Sequence, residues 1–192
     1  MRKIILASTS TKRHDLLQQI GLKVEAVPSK YEENMKLKLS PEKLAMKLAE
    51  GKAREVASRR KGIIIGVDTF VVYKKKKLGK PKDKKDAFKT LKLFSGKTLK
   101  IFSGIYIIDN ENNKKVVDYE VTKIRLKKLT NKEIEDYVNT GEPLGKAGSI
   151  AIQELGAIFV EKINGCYYNI VGLPLHNLYK NLQKFGINIL KD

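Results

Sequence analysis

The chain has 192 residues, of which 42% are hydrophobic, and its formal net charge is +18. This length can form one ample core or two small lobes. No apolar run approaches the roughly 20 residues that a membrane-spanning helix needs, so a membrane protein is not expected. The single cysteine, Cys166, excludes an intrachain disulfide and a zinc cluster.

The positive charge could attract an anion, either nucleic acid or a nucleotide. Lysines are spread along the chain rather than gathered in one tail, arginine is scarce, and aromatic residues make up 7%. Arginine is the usual reader of base edges, and aromatic rings are the usual stacking platforms for single strands. Nucleic acid is therefore not the expected main partner, and a lysine-rich proteome would explain the charge equally well.

Hydrophobic periodicity and capping residues predict strands and helices that alternate along the first half of the chain. Strands are predicted at 3–8, 23–28, 63–73, 98–109 and 115–129, and helices at 10–20, 40–57, 83–93, 131–139 and 175–185. This order predicts an α/β fold with an elongated, mixed, twisted sheet flanked by helices, in two lobes around a cleft. The apolar segment near the N-terminus is too short for a signal peptide, so we expect a cytoplasmic protein.

The predicted strand 63–73 contains one carboxylate, Asp68, among apolar residues. Such a carboxylate is costly unless it is paired, bound to a metal or placed at a solvent-facing strand end. The four lysines 74–77 follow and are expected to form a solvated hairpin turn. Lys80 lies between a glycine and a proline and is expected to be held more firmly. This pattern favours an enzyme that handles a polyphosphate and a divalent metal.

The segment ASTSTKR (7–13) ends the first predicted strand and opens a helix. Small hydroxyl residues at a helix N-terminus leave backbone N–H groups free for an anion. Lys12 and Arg13 add positive charge at the same place. The alternative is a simply capped helix with a solvated basic turn.

The loop SKYEEN (29–34) holds two adjacent acids, Glu32 and Glu33. Adjacent acids in a loop are usually just solvated, but together with Asp68 they could provide oxygen ligands for magnesium. Hydrolysis of a phosphoanhydride needs three kinds of group. Basic groups bind the phosphates, carboxylates bind a metal, and one carboxylate acts as the base that deprotonates water. No Walker loop is present, so the sequence does not support a P-loop enzyme.

Three blocks of the sequence resemble the Maf family, in order, over about residues 4–176: ILASTSTKRHDLL, GVDTFVVYKKKKLGKPKDKKDAFKTLKLFSGK and YVNTGEPLGKAGSIAIQELGAIFVEKINGCYYNIVGLPL. The resemblance implies a single domain over residues 1–192, with the α/β architecture that this family shares with the inosine triphosphate pyrophosphatases. It implies a nucleoside triphosphate pyrophosphatase that uses a divalent metal, magnesium or manganese. Homodimers are common in the family.

The resemblance also implies roles for individual residues. Asp68, in GVDT, corresponds to the catalytic aspartate that activates water, and Glu32 corresponds to an acid that joins it at the metal. The substrate-binding positions are Ser8, Arg13, Lys52 and Lys80 for the phosphates, and Lys12, Thr69 and Gln153 for the base. Gln153 within IQE favours dTTP and UTP as substrates.

Three positions differ from the family's pattern. The first block reads STKR where SPRR is usual, which puts Thr11 in place of a proline and Lys12 in place of an arginine, and lysine lacks the planar bidentate contact of a guanidinium. Gly145 stands where an aspartate is usual. These differences leave the same reaction on another or modified base, such as 7-methyl-GTP, as an alternative. A basic nucleic-acid-binding or division-regulating protein is an alternative of a different class.

Overall fold

The structure, a computed structural model, describes residues 2–74 and 76–191. The strands are β1 (Ile4–Leu6), β2 (Glu25–Ala26), β3 (Ile63–Tyr73), β4 (Lys76–Leu78), β5 (Thr98–Asp109), β6 (Lys114–Leu126) and β7 (Val160–Asn164). They form one seven-stranded sheet in the order β2-β1-β3-β5-β6-β7, with β4 paired to β3. Strand β1 runs parallel to both β2 and β3, whereas β4 and β7 are antiparallel to β3 and β6, so the sheet is mixed.

The α-helices are α1 (Thr11–Gln19), α2 (Pro41–Ala57), α3 (Lys84–Phe94), α4 (Asn131–Asn139), α5 (Tyr167–Val171) and α6 (Leu175–Gln183). Two short 3-10 helices, Ala147–Ser149 and Leu155–Phe159, precede β7. These elements confirm the predicted mixed α/β fold with flanking helices. No helix within the described residues is long and apolar enough to cross a membrane.

Capping residues explain where the helices begin. The Ser10 side chain accepts a hydrogen bond from the Arg13 backbone N–H and starts α1. Ser40 does the same for α2, which has a proline in its first turn. Thr130 and Glu133 form a capping box at α4, where each side chain accepts a hydrogen bond from the other residue's backbone N–H.

The lysine run differs from its prediction as a solvated turn. Lys76 and Lys77 lie in β4, and Lys77 stands opposite Val72 in an antiparallel pair with β3. The prediction was wrong for these two residues because their backbone pairs with β3 as a short strand. Their side chains can still reach solvent, since lysine is long and flexible. Lys75 lies outside the described residues. Helix α5 was not predicted, since only five residues form it.

Contacts divide the chain into two compact units. The first unit comprises Met1–Thr69, Ser103–Glu120 and Gly172–Asp192, and the second comprises Phe70–Phe102 and Val121–Val171. Each unit has its own buried apolar cluster. The cluster in the first unit contains Ile5, Ala7, Val27, Ala49, Ala53, Val56, Ile64 and Tyr106. The larger cluster in the second unit includes Val71, Tyr73, Leu91, Phe94, Leu99, Ile124, Ile134 and Phe159.

In the first unit, α2 lies very close to strands β3 and β5. A Cβ atom at Gly66 of β3 would overlap the Ala49 carbonyl oxygen, and one at Gly104 of β5 would overlap the Ala45 carbonyl group. Glycine allows this approach because it has no side chain to keep the helix backbone away. The middle of α2 is thereby held against β3, the strand that carries Asp68.

Candidate active site

Asp68 forms the centre of a charged cluster in the first unit. The residue is 5% exposed, as its place in an apolar strand predicts. Lys52, on α2, places its Nζ 2.5 Å from Asp68 Oδ1 and 2.7 Å from Glu33 Oε1. One ammonium group therefore lies between a buried carboxylate and a more exposed one, and this pairing offsets part of the cost of burying Asp68.

The environment of Asp68 makes its carboxylate more basic than usual. Burial raises the pKa of Asp68, and the nearby Glu33 charge acts in the same direction. The charge and hydrogen bond of Lys52, together with the charge of Arg13, oppose this effect without cancelling it. A carboxylate with a raised pKa accepts a proton from water more readily, so Asp68 is suited to act as a general base.

Arg13 is fixed by three hydrogen bonds within the first unit. Its Nε donates to the Gly172 carbonyl at 2.9 Å, one terminal nitrogen donates to Ser8 Oγ at 3.2 Å, and the other donates to Thr69 Oγ1 at 3.3 Å. Burial lowers the pKa of the Arg13 guanidinium, while the Asp68 charge opposes that shift. A partly desolvated guanidinium with a fixed orientation is a strong binding group for a phosphate.

The Thr69 hydroxyl connects Arg13 to a residue that sequence reasoning missed. Thr69 Oγ1 lies 2.7 Å from Ser103 Oγ and donates to the Gly172 carbonyl at 3.2 Å. Because Thr69 has a single hydroxyl proton, Ser103 is then the donor in the bond between the two hydroxyls. Ser103 is fully buried, so this arrangement also satisfies its own proton.

Gly172 was also missed, although it accepts hydrogen bonds from both Arg13 and Thr69. Its φ is +124°, a conformation that L side chains rarely adopt. The sequence signal was the VGLP stretch, but a glycine before a proline-containing turn is too common to indicate a site. Only the fold shows that its carbonyl faces Arg13.

The structure brings together five of the predicted site residues: Ser8, Arg13, Lys52, Asp68 and Thr69. Lys12 lies on α1 in the same unit. The loop acid that contacts Lys52 is Glu33, and its neighbour Glu32 is exposed. The assignment of Glu32 to a metal thus stays a prediction.

Lys80 and Gln153 belong to the second unit, and both are exposed. Lys80 lies two residues after the end of β4, and Gln153 lies in the turn between the two 3-10 helices. Their predicted contacts with the phosphates and the base stay predictions.

The turn that carries Gln153 is held by one carboxylate. Glu142 accepts hydrogen bonds from the backbone N–H groups of Leu155 at 3.0 Å and Gly156 at 2.9 Å. It also accepts from the Tyr137 hydroxyl at 2.8 Å, and that hydroxyl accepts from the Ala151 N–H at 3.1 Å. The turn is therefore held at its start, Ala151, by Tyr137 and at its end, Leu155 and Gly156, by Glu142.

The arrangement of Glu33 and Asp68 fits a divalent metal that arrives with a polyphosphate. Within the described residues, no group of three or more His, Cys, Asp and Glu side chains could hold a metal ion. Magnesium, however, is commonly bound by one or two carboxylates together with substrate phosphates and water. Glu33 and Asp68 already converge on one cation, the Lys52 ammonium, and are the carboxylates placed to provide such a pair.

The mixed β-sheet flanked by helices makes this an α/β protein, and a buried, lysine-paired carboxylate beside a fixed guanidinium is the kind of charged cluster that enzyme active sites contain. Comparison with known proteins places it more closely. The chain belongs to the Maf family, since the Maf-like protein family matches residues 3–185. This finding confirms the family that the sequence blocks resemble.

Two relatives illustrate the similarity. The chain is 47% identical over 193 residues to a dTTP/UTP pyrophosphatase of Ruminiclostridium cellulolyticum, and the match covers 100% of both chains. It is 45% identical over 194 residues to a dTTP/UTP pyrophosphatase of Clostridium botulinum (strain Kyoto / Type A2), with 98% of this chain and 100% of the relative covered. The Ham1 protein of Staphylococcus aureus is a distant structural neighbour, at 14% identity and a TM-score of 0.44, with 65% of this chain and 71% of that one covered. A likeness at that level says nothing about activity.

Proposed function

We propose that this protein hydrolyses nucleoside triphosphates, with dTTP and UTP preferred, to a nucleoside monophosphate and pyrophosphate. The observation that carries the proposal is the buried Asp68 carboxylate, which has a raised pKa and forms an ion pair with the Lys52 ammonium. The names of the full-length relatives, dTTP/UTP pyrophosphatase, support both the reaction and the substrates.

Asp68 acts as the general base in this proposal. The oxygen of a water molecule forms a bond to the α-phosphorus, and one proton of that water passes to the Asp68 carboxylate. The bond between the α-phosphorus and the oxygen that bridges to the β-phosphate breaks, and pyrophosphate departs with the bonding electrons. Lys52 holds the Asp68 carboxylate in one orientation through its 2.5 Å contact, so that the base does not have to be ordered at the moment of reaction.

Arg13 and Ser8 bind the phosphates. The contacts of Arg13 with described residues use three of the five N–H groups of its guanidinium, which leaves a donor on each terminal nitrogen for phosphate oxygens. Those donors stabilise negative charge as it moves toward the leaving group. Lys80 is proposed to add a further positive charge.

Glu33 and Asp68 would hold the divalent metal, magnesium or manganese. When bound, such an ion neutralises phosphate charge and lowers the pKa of water. The resemblance to the family implies Glu32 for this role, whereas the contact of Glu33 with Lys52 supports Glu33 in this proposal. The two neighbours can be separated by mutation, as described below.

Lys12, Thr69 and Gln153 are proposed to select the base, with Gln153 favouring pyrimidines. Another or modified base, such as 7-methyl-GTP, remains the alternative substrate. We also propose that residues 1–192 act as one functional domain, that the protein forms a homodimer, and that it works in the cytoplasm. A single cysteine is in keeping with a reducing compartment.

The proposal is tested by measuring pyrophosphate release from dTTP, UTP, CTP, GTP, ATP and 7-methyl-GTP, with magnesium or manganese. We expect dTTP and UTP to give the highest kcat/KM and the corresponding monophosphate as the other product. Asp68→Asn protein, purified in the same way, controls for contaminating phosphatases. Release of orthophosphate instead of pyrophosphate, or no turnover of any nucleotide, would refute the proposal. Salt-dependent binding of DNA without turnover would favour the nucleic-acid alternative.

A further inference from the structure

The segment 28–33 lies along helix α2 and contacts both the helix and the turn that follows it. Arg59 donates to the Pro28 carbonyl, and the Glu55 carboxylate accepts from the Lys30 N–H at 2.9 Å. Nearer the start of the helix, the Tyr31 ring lies over Gly51, and Glu33 reaches Lys52. Gly51 and Glu55 are spaced by four residues, so they share one face of the helix, and Arg59 lies in the turn that follows the helix.

The contacts of Arg59 with Pro28 and of Glu55 with Lys30 are ordinary hydrogen bonds. Arg59 also donates to Glu55 at 2.9 Å, and this bond, with the Lys30 amide, lowers the pKa of Glu55 to about 2. Glu55 is therefore ionised across the neutral range and continues to accept from the segment. These contacts fix the start of the segment but do not reach Glu33.

The contact between Tyr31 and Gly51 is unusual because a glycine in the middle of a helix is unfavourable. Gly51 has an ordinary helical backbone, so no special φ requires glycine there. A Cβ atom at this position would overlap the Cζ, Cε1 and Cε2 atoms of the Tyr31 ring. Glycine at this position lowers the intrinsic helix propensity relative to alanine, but it allows the Tyr31 ring to pack directly against the helix backbone.

We propose that Tyr31 is a positioning residue, whose ring in the space left by Gly51 holds Glu33 against Lys52. Glu33 is two residues beyond Tyr31 in the chain. The position of the Tyr31 ring therefore restricts where the Glu33 carboxylate can lie. The 2.7 Å contact between Glu33 and Lys52 then follows from packing as well as from charge. The catalytic consequence of this inference rests on the proposed function, because Glu33 acts there beside Asp68.

The test uses a double-mutant cycle of Gly51→Ala and Tyr31→Ala, with kcat/KM for dTTP as the first readout. Gly51→Ala adds a methyl group where the ring lies, so we expect it to lower kcat/KM about tenfold. Tyr31→Ala should lower kcat/KM by a similar factor. In the Tyr31→Ala background, Gly51→Ala should cause no further loss, because no ring remains to be displaced.

Two variants serve as matched controls. Tyr31→Phe keeps the ring and should retain wild-type kinetics within about twofold, since the hydrogen bond that Tyr31 makes among the described residues comes from its backbone N–H, which donates to Ser29 Oγ. Lys43→Ala introduces alanine at an exposed position of the same helix and should also leave kcat/KM unchanged. Equal losses from Gly51→Ala with and without the Tyr31 ring would overturn the proposal.

Hydrogen–deuterium exchange of the peptide that covers 28–33 provides a readout that does not depend on turnover. We expect faster exchange in Gly51→Ala and Tyr31→Ala, and wild-type exchange in Tyr31→Phe. If the wild-type protein turned over no nucleotide, the proposed function would fail, while faster exchange would still support the positioning role of Tyr31. Unchanged exchange in Gly51→Ala would overturn that role whatever the kinetics.

Discussion

Two carboxylates in this protein, one in each unit, have opposite surroundings. Asp68 in the first unit is buried, shares the Lys52 ammonium with Glu33, and has a raised pKa because burial outweighs the nearby positive charges. Glu142 in the second unit accepts two backbone N–H groups and one hydroxyl. The first arrangement leaves a carboxylate reactive toward protons, whereas the second uses a carboxylate to fix backbone. Partners, more than residue type, decide which of the two roles a carboxylate has.

Asp68→Asn should have the largest effect on activity, because it removes the proposed base and keeps the shape of the side chain. We expect kcat for pyrophosphate release to fall by roughly 10³-fold. Folding raises the pKa of Asp68, so the stability associated with this group is present below its ordinary pKa and is lost as pH rises through the raised value. At pH 7 the neutral asparagine avoids that loss.

The unfolding midpoint of Asp68→Asn at pH 7 should therefore equal or exceed that of the wild-type protein, as measured by thermal denaturation. A variant that is inactive because it is misfolded would have a lower midpoint. A folded variant with wild-type kcat would show that Asp68 is not the base.

Lys52→Gln should reduce kcat/KM by about 10²-fold, since it removes a fixed positive charge beside the base. Lys52 lowers the pKa of Asp68, so its loss raises that pKa further. Because the base must be deprotonated, the acid limb of the pH–rate profile should move to higher pH. Lys47→Gln, on the exposed side of the same helix, is the matched control and should leave the profile unchanged. An acid limb that stayed in place would mean that Asp68 does not limit the rate at low pH.

Glu33→Gln and Glu32→Gln separate two neighbouring acids. We expect Glu33→Gln to lower kcat/KM about tenfold and to raise the concentration of magnesium needed for half-maximal rate, because Glu33 is the acid that contacts Lys52. Glu32→Gln should change both values by less than about twofold. The reverse result would restore the metal role that the sequence resemblance assigns to Glu32.

Glu142→Gln should have the smallest effect on the rate and a measurable effect on stability. The amide cannot accept as many hydrogen bonds as the carboxylate, so the N–H groups of Leu155 and Gly156 lose part of their pairing. We expect the free energy of unfolding in urea to fall by about 1–3 kcal/mol. If Gln153 selects the base as proposed, the ratio of kcat/KM for dTTP to that for CTP should fall as well. Glu135→Gln, exposed on α4, is the control, and equal stability of the two variants would remove Glu142 from this role.

Local patterns were enough to predict most elements of the fold. Strand β3 begins and ends where its apolar run does, and α2 and α4, which begin after the Ser40 and Thr130 caps, lie in the predicted segments. The short helix α5 and the pairing of Lys76 and Lys77 with β3 were not predictable in this way. Helix α5 has five residues and strand β4 has three, and segments this short show no period.

The sequence by itself determined the family and the elements around the site, and it predicted that Asp68 is buried within an apolar strand. Only the tertiary structure decided that Glu33 contacts Lys52, and that Ser103 and Gly172 support Thr69 and Arg13. These contacts join residues far apart in the chain, and neighbours such as Glu32 and Glu33 have the same chemistry. Backbone direction and close packing, as at Gly51 and Gly66, determine which side chain reaches the site, and neither can be read from residue type alone.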